Sequence, residues 1–390
     1  MIQYSVLELP LSLYLNGFMK QLIKELYEDR KSNHISSDLN FLNFTSEEKH
    51  RFLILMSIKN LSYECVDAWK DKVQKETSRL YWIGNYYDNE VYDDAELSAE
   101  TIDILVNKCA DVFQGFQLKD KPIVLYLPNL LQLPIAVLAA FRIGLTVLPI
   151  SATNEDGNYL HDVLKISGAN TVITVDGFWM GSKLIKNKEI LDTAIINSAV
   201  RRVLVVRHVS PDERIPPPHV QLIARRPYYN YKVTMKENRD SWWSTFFPKA
   251  SISCMPRTVP NNSTSLLLPI RNDSTTRMLS ISFEKLEAEI SRVQVILHQN
   301  EPSLIISTAN ILHQIICTLA ALKVGAIPSI VSKLLIAEED LTILLDYKEY
   351  ITFWNLKTLR QILILGSNNL CEKTEEIFGV SCESTELQPV

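Results

Sequence analysis

Apolar residues in this chain fall into short unbroken runs of strand length and longer mixed runs of helix length. The clearest example is residues 122–151, PIVLYLPNLLQLPIAVLAAFRIGLTVLPIS, which read as strand, helix, strand. The chain writes the same unit again at 303–332, SLIISTANILHQIICTLAALKVGAIPSIVS. Subtracting Gly144 from Gly325 gives an offset of 181. That offset pairs Asn129 with Asn310, Leu131 with Leu312, Leu138-Ala139-Ala140 with Leu319-Ala320-Ala321, and Arg142 with Lys323. Unbroken apolar strands mark parallel sheets buried on both faces. A repeated unit of this kind predicts two related α/β lobes. In such folds ligands bind at the carboxyl ends of strands or between lobes.

The rest of the pattern fits around these units. An amphipathic helix is predicted from about Leu15 to Tyr27, with Phe18, Leu22, Ile23 and Leu26 on one face, followed by a polar stretch over 31–50. Residues 79–83 and 90–92 read as a hairpin turning at Gly84-Asn85, and a helix runs from an N-cap at Ser98 to about Gln114, with Gly115 as its stop. From 122 to 208 strands and helices alternate, which predicts a parallel sheet with helices on both faces. Residues 209–265 break the pattern with Pro216-Pro217-Pro218 and Trp242-Trp243, and read as a linker or excursion. Alternation resumes from 266 with a short strand, a helix over 282–297, the second unit and a strand near 361–365. The expected division is a helical segment at 1–70, a first lobe with irregular linker at 71–255, and a second lobe at 256–390.

Composition narrows the function classes. Of 390 residues, 46% are hydrophobic and 22% charged, as in a soluble globular chain. A net charge of −5 without a basic run gives no footprint for nucleic acid. Each repeated unit carries one charge and is split by Pro and Asn, so neither reads as a transmembrane helix. The six cysteines show no metal-ligand spacing, and reduced thiols in a cytoplasmic protein, with no structural metal, are expected. Glycine is scarce, 11 residues against an average of about 7%. Glycine is what lets a backbone approach a phosphate closely.

Several stretches resemble one family, the acetyl-CoA synthetases of the AMP-binding, adenylate-forming superfamily. LSYECVDAW at 61–69 is similar to the family's N-terminal signature, and VNKCADVFQGFQLKDKPIVLYLP at 106–128 to its helix and first core strand. NTVITVDGFWMGSK at 170–183 and VLVVR at 203–207 resemble the next strands, and Arg239-Asp240-Ser241-Trp242-Trp243 resembles the Arg-Asp-x-Trp-Trp preceding the ATP site. The similarity runs from about 10 to 245. It implies a fold of two similar sheet lobes. It also implies ATP with Mg²⁺ and CoA as ligands, and a reaction that joins acetate or another short-chain acid to CoA through an acyl-AMP.

The resemblance also says where the chemistry belongs. The family's Gly-rich phosphate loop corresponds to 266–286, LLLPIRNDSTTRMLSISFEKL, which has no glycine. Ser274, Thr275, Thr276 and Arg277 keep hydroxyls and a cation there, while Asp273 adds a negative charge; an ordinary loop into a helix N-cap at Ser282 is the alternative. STELQPV at 384–390 resembles the nucleotide and metal motif, with Thr385 at the phosphate and Glu386 at Mg²⁺, or else is a frayed polar end. Glu383 falls at the acyl pocket, where a carboxylate repels a carboxylate substrate. His313 falls near the same pocket, or is a satisfied core histidine. Of two basic positions expected to hold CoA one is Met180 and the other Lys183, which is otherwise a solvated surface lysine. The chain ends just after the Thr-Glu pair, so the family's small C-terminal domain with its catalytic Lys is expected to be lacking and no catalytic residue is assigned. The expectation is a degenerate acetyl-CoA synthetase-like pseudoenzyme, inactive or impaired. The alternative is a non-catalytic module that senses nucleotide or CoA or binds a protein partner.

Overall fold

Both repeated units form a parallel strand pair joined by a helix. A computed structural model describes residues 59–88, 91–118, 121–180, 183–210, 231–272, 275–297, 303–307, 311–331, 361–364 and 381–384. The predicted helix at 15–27 lies outside them. In the first unit β3 (Ile123–Leu127), α3 (Gln132–Arg142) and β4 (Val147–Ser151) follow one another. In the second the sequence is β12 (Ser303–Ser307), α7 (Ile311–Val324) and β13 (Ile327–Val331). The offset of 181 carries over to the ladder. Ile123↔Val147, Val124↔Leu148 and Leu125↔Pro149 become Leu304↔Pro328, Ile305↔Ser329 and Ile306↔Ile330, all of them observed pairs. Gly144 and Gly325 both follow their helix at positive φ, 74° and 86°, where a side chain is strained.

The surrounding elements repeat as well. Before the first unit come α1 (Leu61–Cys65), the hairpin β1 (Ser78–Asp88) and β2 (Val91–Ser98), and α2 (Ala99–Gly115). After it come α4 (Gly157–Ser167), β5 (Thr171–Val175), the small hairpin β6 (Phe178–Met180) and β7 (Lys183–Ile185), α5 (Asn187–Ala194), β8 (Arg202–Val206) and β9 (Asp240–Trp242). The second half has the hairpin β10 (Thr264–Asn272) and β11 (Thr275–Ser282), then α6 (Phe283–Leu297), the second unit, β14 (Gln361–Ile364) and β15 (Ser381–Ser384). One sheet has the order β11-β10-β4-β3-β5-β8-β9, the other β15-β14-β12-β13-β1-β2. The parallel cores β4-β3-β5-β8 and β13-β12-β14-β15 therefore match strand for strand. α2 packs on α3 as α6 packs on α7. The two halves exchange hairpins: β1–β2 completes the sheet of the second half, and β10–β11 completes that of the first.

The core is where the apolar pattern put it. β3 and β5 are buried at every position, so both faces of the first sheet are covered. Ser98 caps α2 by accepting from the Thr101 N–H at 3.2 Å, and Ser282 accepts from the Lys285 N–H at 3.3 Å at the start of α6. Two local expectations change. Gly84-Asn85 is not the hairpin turn. β1 continues to Asp88, and the register shifts between the Ile83 and Tyr87 pairs, so the glycine falls at a bulge. The stretch 275–282, expected to be a loop into the helix, is strand β11 paired antiparallel with β10.

Candidate functional site

The carboxyl ends of β5 and β8 are filled by one carboxylate. Asp176, fully buried, follows β5 and accepts from the Gly177, His208 and Ser210 N–H groups at 2.8, 2.9 and 2.7 Å. It also accepts from the Val209 N–H and, at 2.6 Å, the Ser210 hydroxyl. Asp176 thus ties the loop after β8 to the end of β5. Next to it, Trp82 of β1 donates to the Asn129 carbonyl at 2.6 Å and meets the His208 ring edge-on, bringing the two sheets together at their strand ends. Burial lowers the pKa of His208, against the raising influence of Asp176.

Two of the motifs that carry the family resemblance have their charged side chains bound within the fold. In Arg239-Asp240-Ser241-Trp242-Trp243, the Asp240 side chain is fully buried and contacts Lys188 at 2.9 Å and Arg239 at 2.5 Å. Lys188, 1% exposed, also reaches Asp192 at 2.7 Å, which Arg239 reaches in turn. Burial alone would raise the Asp240 pKa, but its bonds from Arg239, the Lys236 N–H and Lys188 hold it below the ordinary value. This network fastens β9 to α5. Trp242 lies under the Arg207 guanidinium, and Trp243 packs on Phe113 and Phe247.

LSYECVDAW forms α1 and the turn after it, and clips the two halves together. Asn60, fully buried, caps α1 by accepting from Tyr63 and donates to the carbonyls of Phe141, Arg142 and Arg257. Asp67 holds Arg142 through two bonds of 2.6 and 2.9 Å, while Glu64 holds Lys323 at 2.6 Å. Arg142 and Lys323 are the two residues the 181 offset pairs, so α1 and the turn after it together grip the same position of both repeats. Burial opposes charge at Arg142 and Lys323, yet their carboxylate partners raise both pKa values.

The residues assigned by resemblance are dispersed. β10 and β11 pair through Asn272↔Thr275, leaving only Asp273 and Ser274 between the strands; both lie outside the described residues. Side chains alternate along β11, so Thr275 and Arg277 face one side and Thr276 the other. Arg271, beside the turn, is bound to Asp156 at 2.7 Å. Lys183 is bound to Glu155 at 2.5 Å, so the hairpin and the CoA candidate both rest on the loop after β4. His313 is half-buried in the first turn of α7, where burial lowers its pKa. Glu383 lies in β15 opposite Leu363, and Thr385 and Glu386 lie outside the described residues. Among the described residues no group of three or more His, Cys, Asp or Glu could hold a metal ion, and no helix is long and apolar enough to cross a membrane. The sequence reading missed Asn60, Asp67 and Asp176. The only local signals were an Asn before a short helix and an Asp-Gly after a strand.

The chain is similar to known proteins in sequence and in fold. The family model described as AMP-binding enzyme matches residues 81–238. The acetyl-coenzyme A synthetase of Pyrobaculum arsenaticum is 31% identical over 192 residues, 47% of this chain and 25% of that protein. That of Drosophila melanogaster is 27% identical over 205 residues, 50% of this chain and 28% of that protein. An uncharacterized protein of Caenorhabditis elegans is 32% identical over 117 residues, 28% of this chain and 78% of its own length. The chain thus spans about a quarter of the acetyl-CoA synthetases it matches. In fold, the crystal structure of Brucella canis acyl-CoA synthetase aligns with a TM-score of 0.57 at 13% identity, covering 85% of this chain and 58% of that one.

Proposed function

We propose that this chain, which belongs to the AMP-binding, adenylate-forming superfamily and is acetyl-CoA synthetase-like within it, keeps the family fold while ATP-dependent ligation of acetate or another short-chain acid to CoA is lost or severely impaired. The observation that carries this reading is the two-residue connection between β10 and β11. A phosphate cradle needs successive backbone N–H groups converging on one point. In an extended strand they point alternately to opposite sides, and every second one of β11 is engaged by β10. The hydroxyls of Thr275 and Thr276 are split between two faces. Asp273, between the two strands in sequence, brings a negative charge that opposes a triphosphate. The residues present therefore do not fit the triphosphate of ATP or its Mg²⁺.

The second reading is a non-catalytic, cytoplasmic module that binds nucleotide, CoA or a protein partner. It is favoured by the family motifs at 61–69 and 239–243, whose charged side chains are bound to the fold itself. Two measurements on the purified chain decide. Acetate- or propionate-dependent pyrophosphate release would overturn the loss of ligation. Calorimetric titration with Mg·ATP and then with CoA separates the readings: saturable binding without turnover supports a sensor, and silence from a folded chain supports a scaffold.

A further inference from the structure

The turn after α1, the start of β1 and the start of α2 enclose a cleft of about 360 Å³. This is within the range of small-ligand sites. Its inner wall holds a guanidinium with no counter-charge. Arg79 is 3% exposed and, among the described residues, forms no ion pair. It donates from Nη2 to the Leu322 carbonyl at 2.8 Å, and its Cζ lies 4.8 Å from the centre of the Trp69 ring. A guanidinium has five N–H donors, so most of its capacity is unspent.

The other cations of the cleft are neutralised. Lys70 contacts Asp67 and Asp103 at 3.1 and 2.9 Å, and Lys75 contacts Glu100 at 3.5 Å. Asp71 is exposed at the rim, where water screens it. A buried charge without a partner is costly, and a bound anion would relieve that cost. The rest of the wall is apolar: Val66, Val73, Ile102, Ile252, Leu322 and the Trp69 ring.

We propose that this cleft binds a monocarboxylate with a compact apolar body, its carboxylate on Arg79 and its body against Trp69. One unpaired cation matches one negative charge, and a planar fork matches a planar carboxylate. The site uses no residue of the β10–β11 hairpin and stands whether or not the chain ligates acids to CoA.

The test is calorimetry on the full chain with benzoate, butyrate, neutral benzamide and inorganic phosphate. Saturable binding of benzoate or butyrate is expected, with benzamide and phosphate at least 10-fold weaker. Arg79→Met is expected to weaken carboxylate binding at least 10-fold. Ile252→Asp is a second variant that leaves the core alone, since Ile252 is 62% exposed. It places a carboxylate at the rim and is expected to weaken binding several-fold at low salt. Absence of binding by the folded chain overturns the proposal, as does phosphate or benzamide binding as well as benzoate. Affinity unchanged in Ile252→Asp also overturns it, and locates the carboxylate elsewhere even if Arg79→Met fails to fold.

Discussion

Where α3 meets α7 the two repeats present unlike chemistry to each other. Gln314 and Thr318 of α7 share a space of about 10 Å³ with Leu133, Pro134 and Val137 of α3. The offset of 181 superposes Gln314 on Leu133 and Thr318 on Val137, so the apolar side of the interface shows what the polar side could be. Both ends of the Gln314 amide and the Thr318 hydroxyl are buried with no hydrogen-bond partner among the described residues. Stranding a buried polar group costs about 1–3 kcal/mol. The space admits about one water, enough to serve some of the three atoms but not all. Thr318→Val, which copies Val137, is therefore expected to stabilise the chain by about 1 kcal/mol, and Gln314→Leu, which copies Leu133, by about 1–2 kcal/mol. The double variant should gain less than the sum, because the two sites share one space. Urea unfolding followed by circular dichroism reads the change, with an unaltered slope as the control. In thermal scans each kcal/mol moves the midpoint by roughly 2 °C in a chain this large. A Thr318→Val variant that loses 1 kcal/mol or more would refute the reasoning, since the hydroxyl would then have a partner.

Four further outcomes are expected. Arg142→Met should cost about 3–5 kcal/mol by leaving Asp67 without its buried partner, whereas Lys323→Met, whose pair with Glu64 is more exposed, should cost about 1 kcal/mol; denaturant midpoints compare them. Gly144→Ala should cost about 1 kcal/mol for its positive φ, with its new Cβ 3.6 Å from Val259, but Gly325→Ala should cost several times more, its Cβ falling on the Trp69 ring; thermal midpoints show the gap. Asp240→Asn should destabilise by about 3 kcal/mol at pH 7. Because the native Asp240 pKa is depressed, its contribution is complete above the unfolded value of about 3.9 and is lost as pH falls through the native one. Wild type and Asp240→Asn should therefore converge only once the pH has fallen below the depressed native pKa of Asp240 in acid unfolding. Burial pushes the thiols of Cys65 and Cys317 up to about 12 and raises Cys109 as well, so mass spectrometry after thiol-reagent labelling should find all three unmodified until the chain unfolds.

What could be read in advance was what is local. Unbroken apolar runs identified β3, β4 and their counterparts β12 and β13, and Gly144 and Gly325 marked the ends of both helices. The hairpin exchange had no such signal, because a strand records how its faces are buried, not which sheet will claim it. Thr275 and Thr276 are β-branched and the flanking residues suit a pleated surface, so β11 was within reach of propensity. Their likeness to a family loop lies in the same hydroxyls, which say nothing of strand pairing. The charged residues of the two family motifs were visible by type, but whether a carboxylate faces a ligand or an arginine 75 residues away, as Asp67 faces Arg142, is a tertiary fact.

The exchange of hairpins also orders events during synthesis. β2 ends at Ser98 and β13 begins at Ile327, 229 residues later. At a ribosomal pace of about 5–20 residues per second, the first hairpin waits roughly 10–50 s for the parallel strand that anchors it. The first sheet is likewise short of its edge until Ser282 has emerged. Neither half can finish before the other has begun, so the nascent chain carries two incomplete sheet edges at once, each open to wrong pairing until its partner hairpin or strand arrives. The same interlock makes each lobe, cut out on its own, a sheet without its border.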